Sequence, residues 1–198
     1  GPILSTPVSL SASPLASSTD SSPTGRLYRL GCISGMSRHR FHGDRRRFQV
    51  VADYVADRYW KSITYIADVA GGQGMLSRIL TKKYNYVCEV IDPRGWVLRG
   101  VQNHQEAFDP GWATYYDLIV GLHPDEALRP VAQAALIRPA IVVPCCNFWS
   151  EEKLGRDELV EAVEAYYREH NVRYERVVFP FKGPKNIGIV SEPPAAVR

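Results

Sequence analysis

The sequence predicts an α/β protein with a doubly wound, mostly parallel sheet of seven, or six, strands. Strand and helix patterns alternate from about Leu27 onward, which favours a parallel sheet with helices on both faces. The last two strand patterns, RYERVVFPF and NIGIVSEP, are separated by the short turn KGPK. Because so short a turn cannot make a parallel crossover, we expect these two strands to form a C-terminal antiparallel hairpin.

The predicted elements follow in a regular order. Residues 43–60 show the i, i+3, i+4, i+7 apolar spacing of an amphipathic helix, which Asp44 can cap. Residues 95–108 are ambiguous, and we expect a short helix and then a strand near RGVQ. The other predicted elements, in chain order, are the strand ITYIADVA, the helix GMLSRILTKKY, the strand YVCEVID, the strand YYDLIVGL, the helix PDEALRPVAQAAL, the strand AIVVPCC and the helix RDELVEAVEAYYREH.

Composition indicates an ordinary globular protein. The chain has 198 residues, 45% hydrophobic and 23% charged, and a net charge of only +3. We expect a disordered Ser/Pro-rich tail over residues 1–26 and a single domain over residues 27–198, with a basic segment at 37–60. No apolar run is long enough for a membrane span. The four cysteines have neither disulfide-framework nor zinc-site spacing, so we expect reduced thiols, no metal, and an intracellular, cytoplasmic protein.

A glycine-rich turn between a strand and a helix indicates a nucleotide-like cofactor. The dinucleotide pattern G-x-G-x-x-G is incomplete here, because Ser77 stands at its last position. Asp68, directly before the turn, suits a positively charged group and would repel a pyrophosphate. Asp92 closes the second strand, where an acid can accept hydrogen bonds from ribose hydroxyls in either kind of cofactor. A turn that merely connects two elements is the remaining alternative.

The stretch Asp68–Gly74 resembles the D-x-G-x-G-x-G motif of class I S-adenosylmethionine-dependent methyltransferases, with alanine for the first glycine. The resemblance extends from about Asp44 to Pro193. It implies a Rossmann-like methyltransferase fold and S-adenosylmethionine as cofactor. After the third strand this chain aligns only loosely with the family, and Gln105 and Glu106 are the candidates for contacts to adenine. The cofactor-binding residues that we predict are Asp68, Ala70, Gly71, Gly72, Gly74, Asp92, Gln105, Glu106 and Gly121.

Chemistry is expected at the ends of the fourth and fifth strands, because ligands of doubly wound sheets bind at the carboxyl edge. His123, in LHPD, can act as a base or orient a substrate, while Asp125 can be catalytic or cap the following helix. LHPD differs from the Asn/Asp-Pro-Pro-Tyr/Phe motif of adenine and glutamine N-methyltransferases. We predict His123, Asp125 and Asn147 as catalytic residues.

The stretches VGLHPDEA and VVPCCNF partly resemble a methyltransferase-like group that includes a tRNA ribose 2′-O-methyltransferase. After the fourth strand, that group has Leu-His-Xaa-Cys-Gly, and this chain has Asp-Glu in place of Cys-Gly. After the fifth strand, the group has a Cys-Cys-His/Tyr cluster, and in this chain Asn147 follows the two cysteines. Cys145 and Cys146 fit three roles: small residues lining the cofactor floor, a catalytic thiolate, or metal ligands together with His123.

The basic stretch SRHRFHGDRRRF interleaves arginines with aromatic residues, a pattern that suits phosphate contacts and base stacking. A solvated arginine run is the alternative. We predict substrate contacts by Arg38, Arg40, Arg45, Arg46 and Lys182, and RNA as the substrate and partner. The other functions that the sequence allows are methylation of a small molecule or a protein, and a non-catalytic subunit or assembly factor with a protein partner.

Overall fold

The computed structural model describes residues 43–195, so the predicted tail and the first part of the basic segment, including Arg38 and Arg40, lie outside the described residues. None of the described helices is both long and apolar enough to cross a membrane. The described helices and strands are α1 (Arg46–Tyr59), β1 (Tyr65–Val69), α2 (Met75–Tyr84), β2 (Val87–Ile91), β3 (Gln102–His104), β4 (Leu118–Leu122), α3 (Leu128–Ala134), β5 (Ala140–Val143), α4 (Arg156–Glu169), β6 (Arg173–Val178) and β7 (Ile187–Glu192).

The strands form one seven-stranded sheet in the order β3-β2-β1-β4-β5-β7-β6. Strands β1 to β5 are parallel to one another, whereas β7 pairs antiparallel with both β5 and β6. The chain therefore builds outward from β1 to β3 and then returns to place β4 on the other side of β1. The doubly wound sheet and its C-terminal hairpin confirm the fold that the sequence predicts.

Both faces of the sheet are covered by helices, which explains why the central strands β4 and β5 carry no polar side chains. Every residue of β4 is buried, and its side chains alternate between two hydrophobic clusters. Leu118 and Val120 pack with α1 and α2 on one face, while Ile119 packs with α3 and α4 on the other. This alternation follows from the two-residue period of a strand.

Helix α1 begins where Asp44 supplies the missing hydrogen-bond acceptor. The Asp44 carboxylate accepts a hydrogen bond from the backbone N–H of Arg46 at 2.9 Å, which satisfies one donor of the first turn. Its second oxygen accepts from the backbone N–H of Lys182 at 2.8 Å. Asp44 therefore joins the start of α1 to the loop between β6 and β7.

Three parts of the chain differ from the sequence prediction. No helix forms at residues 95–101; the structure instead has turns there, followed by the short strand β3. A 3₁₀ helix at Pro110–Tyr115 was not predicted, although Asp109 accepts from Gly111 N–H and Pro110 opens it, both recognisable start signals. The connection between β6 and β7 spans residues 179–186 and is longer than the predicted turn.

Candidate active site

The candidate site lies at the carboxyl edge of the sheet, where β1 and β4 are neighbours. At this point the connection after β1 runs to one side of the sheet and the connection after β4 to the other, which opens a crevice. A cavity of about 560 Å³ occupies it. Its lining residues are Ala70, Ile91, Asp92, Pro93, Arg94, Ala107, Phe108, Pro124, Asp125, Glu126, Ala127, Pro130 and Phe148.

The glycine turn requires backbone conformations and close approaches that a side chain would prevent. Gly74 has φ +75°, and a Cβ atom there would lie 2.8 Å from Val90 and 2.7 Å from Val101. Ala70 also has a positive φ of 55° and donates its N–H to Ile91 O at 2.9 Å, which ties the turn to the end of β2. The turn is thus held against β2 by packing and by a backbone hydrogen bond.

Asp68 lies beneath the glycine turn rather than among the residues that line the cavity. Its carboxylate is 1% exposed and accepts two hydrogen bonds from Ser77, one from the hydroxyl at 2.8 Å and one from the N–H at 3.2 Å. Burial raises the pKa of Asp68 to about 6, against the effect of both hydrogen bonds. A Cβ atom on Gly71 would come within 2.5 Å of this carboxyl group. Asp68 therefore fixes the turn to the start of α2.

Asp92, directly after β2, joins the cavity wall to the glycine turn. It lines the cavity and accepts a hydrogen bond from the backbone N–H of Gly72 at 2.9 Å. The Arg94 guanidinium makes a two-pronged contact with the same carboxylate, at 2.9 Å from Nε to Oδ1 and 2.7 Å from Nη2 to Oδ2. Burial alone would raise the pKa of Asp92, but the Arg94 and Gly72 hydrogen bonds hold it below its ordinary value.

The other predicted cofactor contacts do not all reach the cavity. Of the residues after β3, Ala107 and Phe108 line it, whereas the neighbouring Gln105 and Glu106 do not. The Gln105 side chain lies against Gly95, and the Glu106 carboxylate is 3.5 Å from the His104 ring and largely exposed. Gly121 is buried in β4, where an added Cβ would meet Val131 at 3.0 Å. The close packing of α3 against β4 therefore explains why glycine stands at this position.

His123 lies at the end of β4 in a positive-φ conformation of 58°. Its Nε2 is 2.9 Å from the carbonyl oxygen of Lys185, and because a carbonyl can only accept, Nε2 carries the hydrogen. Burial lowers the pKa of His123, although the hydrogen bond to Lys185 opposes this. The lowered pKa favours the neutral imidazole, in which Nε2–H points to Lys185 O and Nδ1 is the acceptor nitrogen. It is not among the cavity-lining residues, so its catalytic role stays a prediction.

Asp125 and the two cysteines lie together. Asp125 lines the cavity and accepts a hydrogen bond from the Cys145 thiol at 3.0 Å. Burial and the neighbouring carboxylate raise the pKa of Cys145 well above its ordinary value, which disfavours a thiolate nucleophile in this state. The Lys185 ammonium is 3.7 Å from the sulfur of Cys146. Sequence spacing does not reveal this cluster, because its members follow two different strands.

Asn147 organises the loop that follows β5. Its amide group donates to the carbonyl oxygen of Glu152, and its side-chain oxygen accepts from the N–H of Trp149 at 3.3 Å. These contacts within the loop leave Phe148 to line the cavity. The catalytic role of Asn147 therefore stays a prediction. The neighbouring residue Phe148 lines the cavity, and the sequence did not predict it as a site residue.

The described part of the basic segment comes close to the hairpin loop. Arg45 and Arg46 stand at the first turn of α1, and Asp44 links that turn to Lys182. Arg47 differs from its neighbours, because it is only 9% exposed and donates from Nη1 to Asp44 O at 3.0 Å. Three of the predicted substrate residues therefore share one rim of the carboxyl edge, which we call the basic rim: Arg45, Arg46 and Lys182.

Comparisons with known proteins find the fold again at low sequence identity. No family model and no curated protein matches the sequence. The sugar N-methyltransferase KedS8 from Streptoalloteichus is similar over 93% of this chain and 99% of its own, with a TM-score of 0.52 and 14% identity. The methyltransferase domain of bacterial CtHen1-CN matches 74% of this chain and 97% of its own, with a TM-score of 0.52 and 10% identity. DesVI of Streptomyces venezuelae matches 74% and 90%, with a TM-score of 0.50 and 14% identity. The chain has the Rossmann-like fold of these methyltransferases.

Proposed function

We propose that this chain binds S-adenosylmethionine in the carboxyl-edge cavity and transfers its methyl group to an acceptor. The observation that carries the proposal is the acid at the end of β2, Asp92, which lines a cavity beside the glycine turn and contacts that turn directly. The methyltransferases of similar fold make transfer of this methyl group the reaction to test first.

The residues present fit the proposed cofactor. A cavity of about 560 Å³ lies within the roughly 300–1,000 Å³ range of small-molecule sites. Phe108, Pro93 and Pro130 give it an apolar wall that suits adenine, and the Asp92 carboxylate suits a pair of ribose hydroxyls. Asp68 anchors the turn through Ser77, which keeps the backbone of that turn near the cavity.

When bound, S-adenosylmethionine supplies a methyl group on a sulfonium, so the protein's main task is to align the acceptor with that methyl group. Asp92 and the glycine turn would hold the cofactor in place, and Phe148 and Asp125, which follow β5 and β4, also line the cavity. His123 and Asp125 are the proposed groups for orienting or deprotonating the acceptor.

Calorimetric titration tests the cofactor. We expect binding of S-adenosylmethionine but not of NAD, and a roughly 10- to 100-fold weaker Kd in Asp92→Asn, because a hydrogen bond to a charged group contributes about 1.5–3 kcal/mol. Asp109→Asn makes the same charge change off the cavity, where Asp109 only accepts from Gly111 N–H, and should bind normally. Equal affinities in the two variants would remove Asp92 from the site.

RNA is the acceptor that we propose, and the basic rim supports it. Arg45 and Arg46 on α1 and Lys182 on the hairpin loop are brought together by the two hydrogen bonds of Asp44. A group of cations at the same edge of the sheet as the proposed methyl-transfer cavity suits the phosphate backbone of a bound RNA. The lysine on the same loop, Lys185, adds a further charge next to Cys146.

A salt titration of RNA binding tests the basic rim. The triple variant Arg45→Glu, Arg46→Glu, Lys182→Glu should bind single-stranded RNA more weakly and lower the slope of log K against log salt by about 2, at roughly 0.7 per lost phosphate contact. The control, Arg78→Glu, Lys82→Glu, Arg99→Glu, makes the same charge change in a groove beside α2 and the start of β3. Equal losses in both triple variants would contradict a role specific to the rim.

Turnover assays separate the alternatives. Methylation of an amino sugar without salt-dependent RNA binding would make the chain a small-molecule methyltransferase, the activity named for KedS8. Cofactor binding without turnover on RNA, protein or small molecules would favour a non-catalytic subunit.

A further inference from the structure

The thiols of Cys145 and Cys146 have no part in the proposed methyl transfer, and they lie beside Asp125. We call these three residues the Asp-Cys-Cys cluster. Each residue offers one ligand atom, and these three atoms lie within 4.8 Å of one another. The Cys145 sulfur and the Asp125 oxygen are already 3.0 Å apart. We propose that the cluster binds a thiophilic divalent cation of the Zn²⁺ class, against the sequence expectation of no metal site.

The distances fit tetrahedral zinc with small movements. With Zn–S bonds of about 2.3 Å and a Zn–O bond of about 2.0 Å, tetrahedral angles place two ligand sulfurs about 3.8 Å apart, and a sulfur and an oxygen about 3.5 Å apart. The distance from the Cys145 sulfur to the Asp125 oxygen, 3.0 Å, is shorter than the sulfur–oxygen value, and all three separations are within 4.8 Å. Changes on the order of 1 Å therefore bring the ligand atoms to tetrahedral zinc distances.

The backbone beneath the cluster is part of the rigid sheet. The cysteines follow β5 and Asp125 follows β4, and the two strands are paired in parallel up to Leu122 and Val143. The N–H of His123 donates to Val143 O at 3.0 Å, which extends this pairing to the point where the ligands begin. Ligands that begin two or three residues after paired strands are held near one another before an ion binds.

Charges near the cluster both favour and oppose the binding of a cation. Two thiolates and one carboxylate give three negative ligands, which suit a soft dication far better than Mg²⁺ or Ca²⁺. Lys185 contacts Cys146, and Arg47 lies close enough to interact with Cys145. These cations weaken the attraction for a metal, so Lys185→Ala should bind the ion more tightly than the unmodified protein.

Three protein ligands leave one coordination position of a tetrahedral ion open, as in catalytic rather than structural zinc sites. Asp125 is also a cavity-lining residue, so the ion would stand at the cavity wall. The proposal does not depend on the cofactor assignment, because metal binding is measured without S-adenosylmethionine.

Cobalt substitution tests the cluster on the untagged, chelator-treated protein. Addition of Co²⁺ should produce the near-ultraviolet sulfur-to-cobalt charge-transfer band, and Zn²⁺ should abolish it. Cys145→Ser, Cys146→Ser and Asp125→Asn should each weaken zinc binding by at least about tenfold in competition with a chromophoric chelator. Cys88→Ser removes a buried thiol of β2, outside the cluster, and should leave the band unchanged.

Circular dichroism on each variant shows whether weaker metal binding is caused by unfolding. If a cysteine variant unfolds, the near-isosteric Asp125→Asn still tests the cluster. Absence of a charge-transfer band in the folded, reduced protein would overturn the proposal. So would a band that persists when both Cys145 and Cys146 are serine.

Discussion

The carboxyl edge has two ends that are built differently. The proposed cofactor end, at β1 and β2, consists of a close-packed backbone turn and two carboxylates that accept hydrogen bonds, Asp68 from Ser77 and Asp92 from Gly72 and Arg94. The proposed acceptor end, at β4 and β5, consists of side chains from separate loops, with positive φ at the non-glycine residues His123 and Asp125. Changes at the first end should therefore act mainly on folding and cofactor affinity, and changes at the second on chemistry.

The largest expected effect is at the glycine turn. Gly74→Ala should lower the free energy of unfolding by about 2–5 kcal/mol, because the alanine combines a left-handed φ of 75° with contacts under 3 Å to Val90 and Val101. Gly100→Ala is the matched control, since Gly100 has φ +81° but nothing within 4 Å of the added Cβ. It should cost only about 1–2 kcal/mol. Equal costs in urea denaturation would show that close packing does not shape the turn.

The next effect is a pH dependence that distinguishes the two acids of the cofactor end. Asp68 titrates near 6 in the folded protein and near 3.8 when unfolded, so the unfolded chain loses its proton first as the pH rises. The Asp68 contribution therefore lowers stability progressively between about pH 4 and pH 6, by about 3 kcal/mol in total. Below pH 4 this loss is absent, and above pH 6 it is complete.

Asp68→Asn should remove that part of the pH profile. The free energy of unfolding of Asp68→Asn minus that of the unmodified protein should rise from pH 4 to pH 6 and then stay constant. Taking the difference cancels the other titrating groups. A flat difference would mean that Asp68 is ionised throughout, as it would be if it faced a positive group rather than Ser77.

The backbone of the proposed cofactor end was largely predictable from the sequence, and the contacts of the proposed acceptor end were not. The strand, glycine turn and helix form one local pattern, and an acid 20 residues after Gly72, here Asp92, stands at the spacing that such nucleotide-like sites share. The partners of Asp125 and His123 are Cys145 and Lys185, 20 and 62 residues away. Contacts of this kind depend on strand order and loop paths, and a single sequence does not encode them in any spacing.

Asp68 shows the same limit at the cofactor end. The position of Asp68 before the turn was predictable, but the orientation of its side chain was not. From the sequence we expect the carboxylate to face the cofactor, whereas in the structure it accepts hydrogen bonds from Ser77 beneath the turn. Arg94 was also missed, because an arginine two residues after Asp92 has no motif that marks it as a partner of that acid. The smallest effect that we expect comes from removing this contact between Arg94 and Asp92.

Arg94→Gln should tighten cofactor binding slightly. The Arg94 guanidinium holds both oxygens of Asp92, so ribose hydroxyls compete with it for the same carboxylate. The Arg94 side chain is 63% exposed, and an exposed ion pair contributes only about 0–1 kcal/mol, so the gain in Kd should not exceed about fivefold. Asp125 and Glu126 also attract this guanidinium, which gives it a place to move when Asp92 binds ribose. Arg99→Gln, in the same connection between β2 and β3, controls for the charge change. Weaker binding in Arg94→Gln alone would show that Arg94 contacts the cofactor directly rather than competing with it for Asp92.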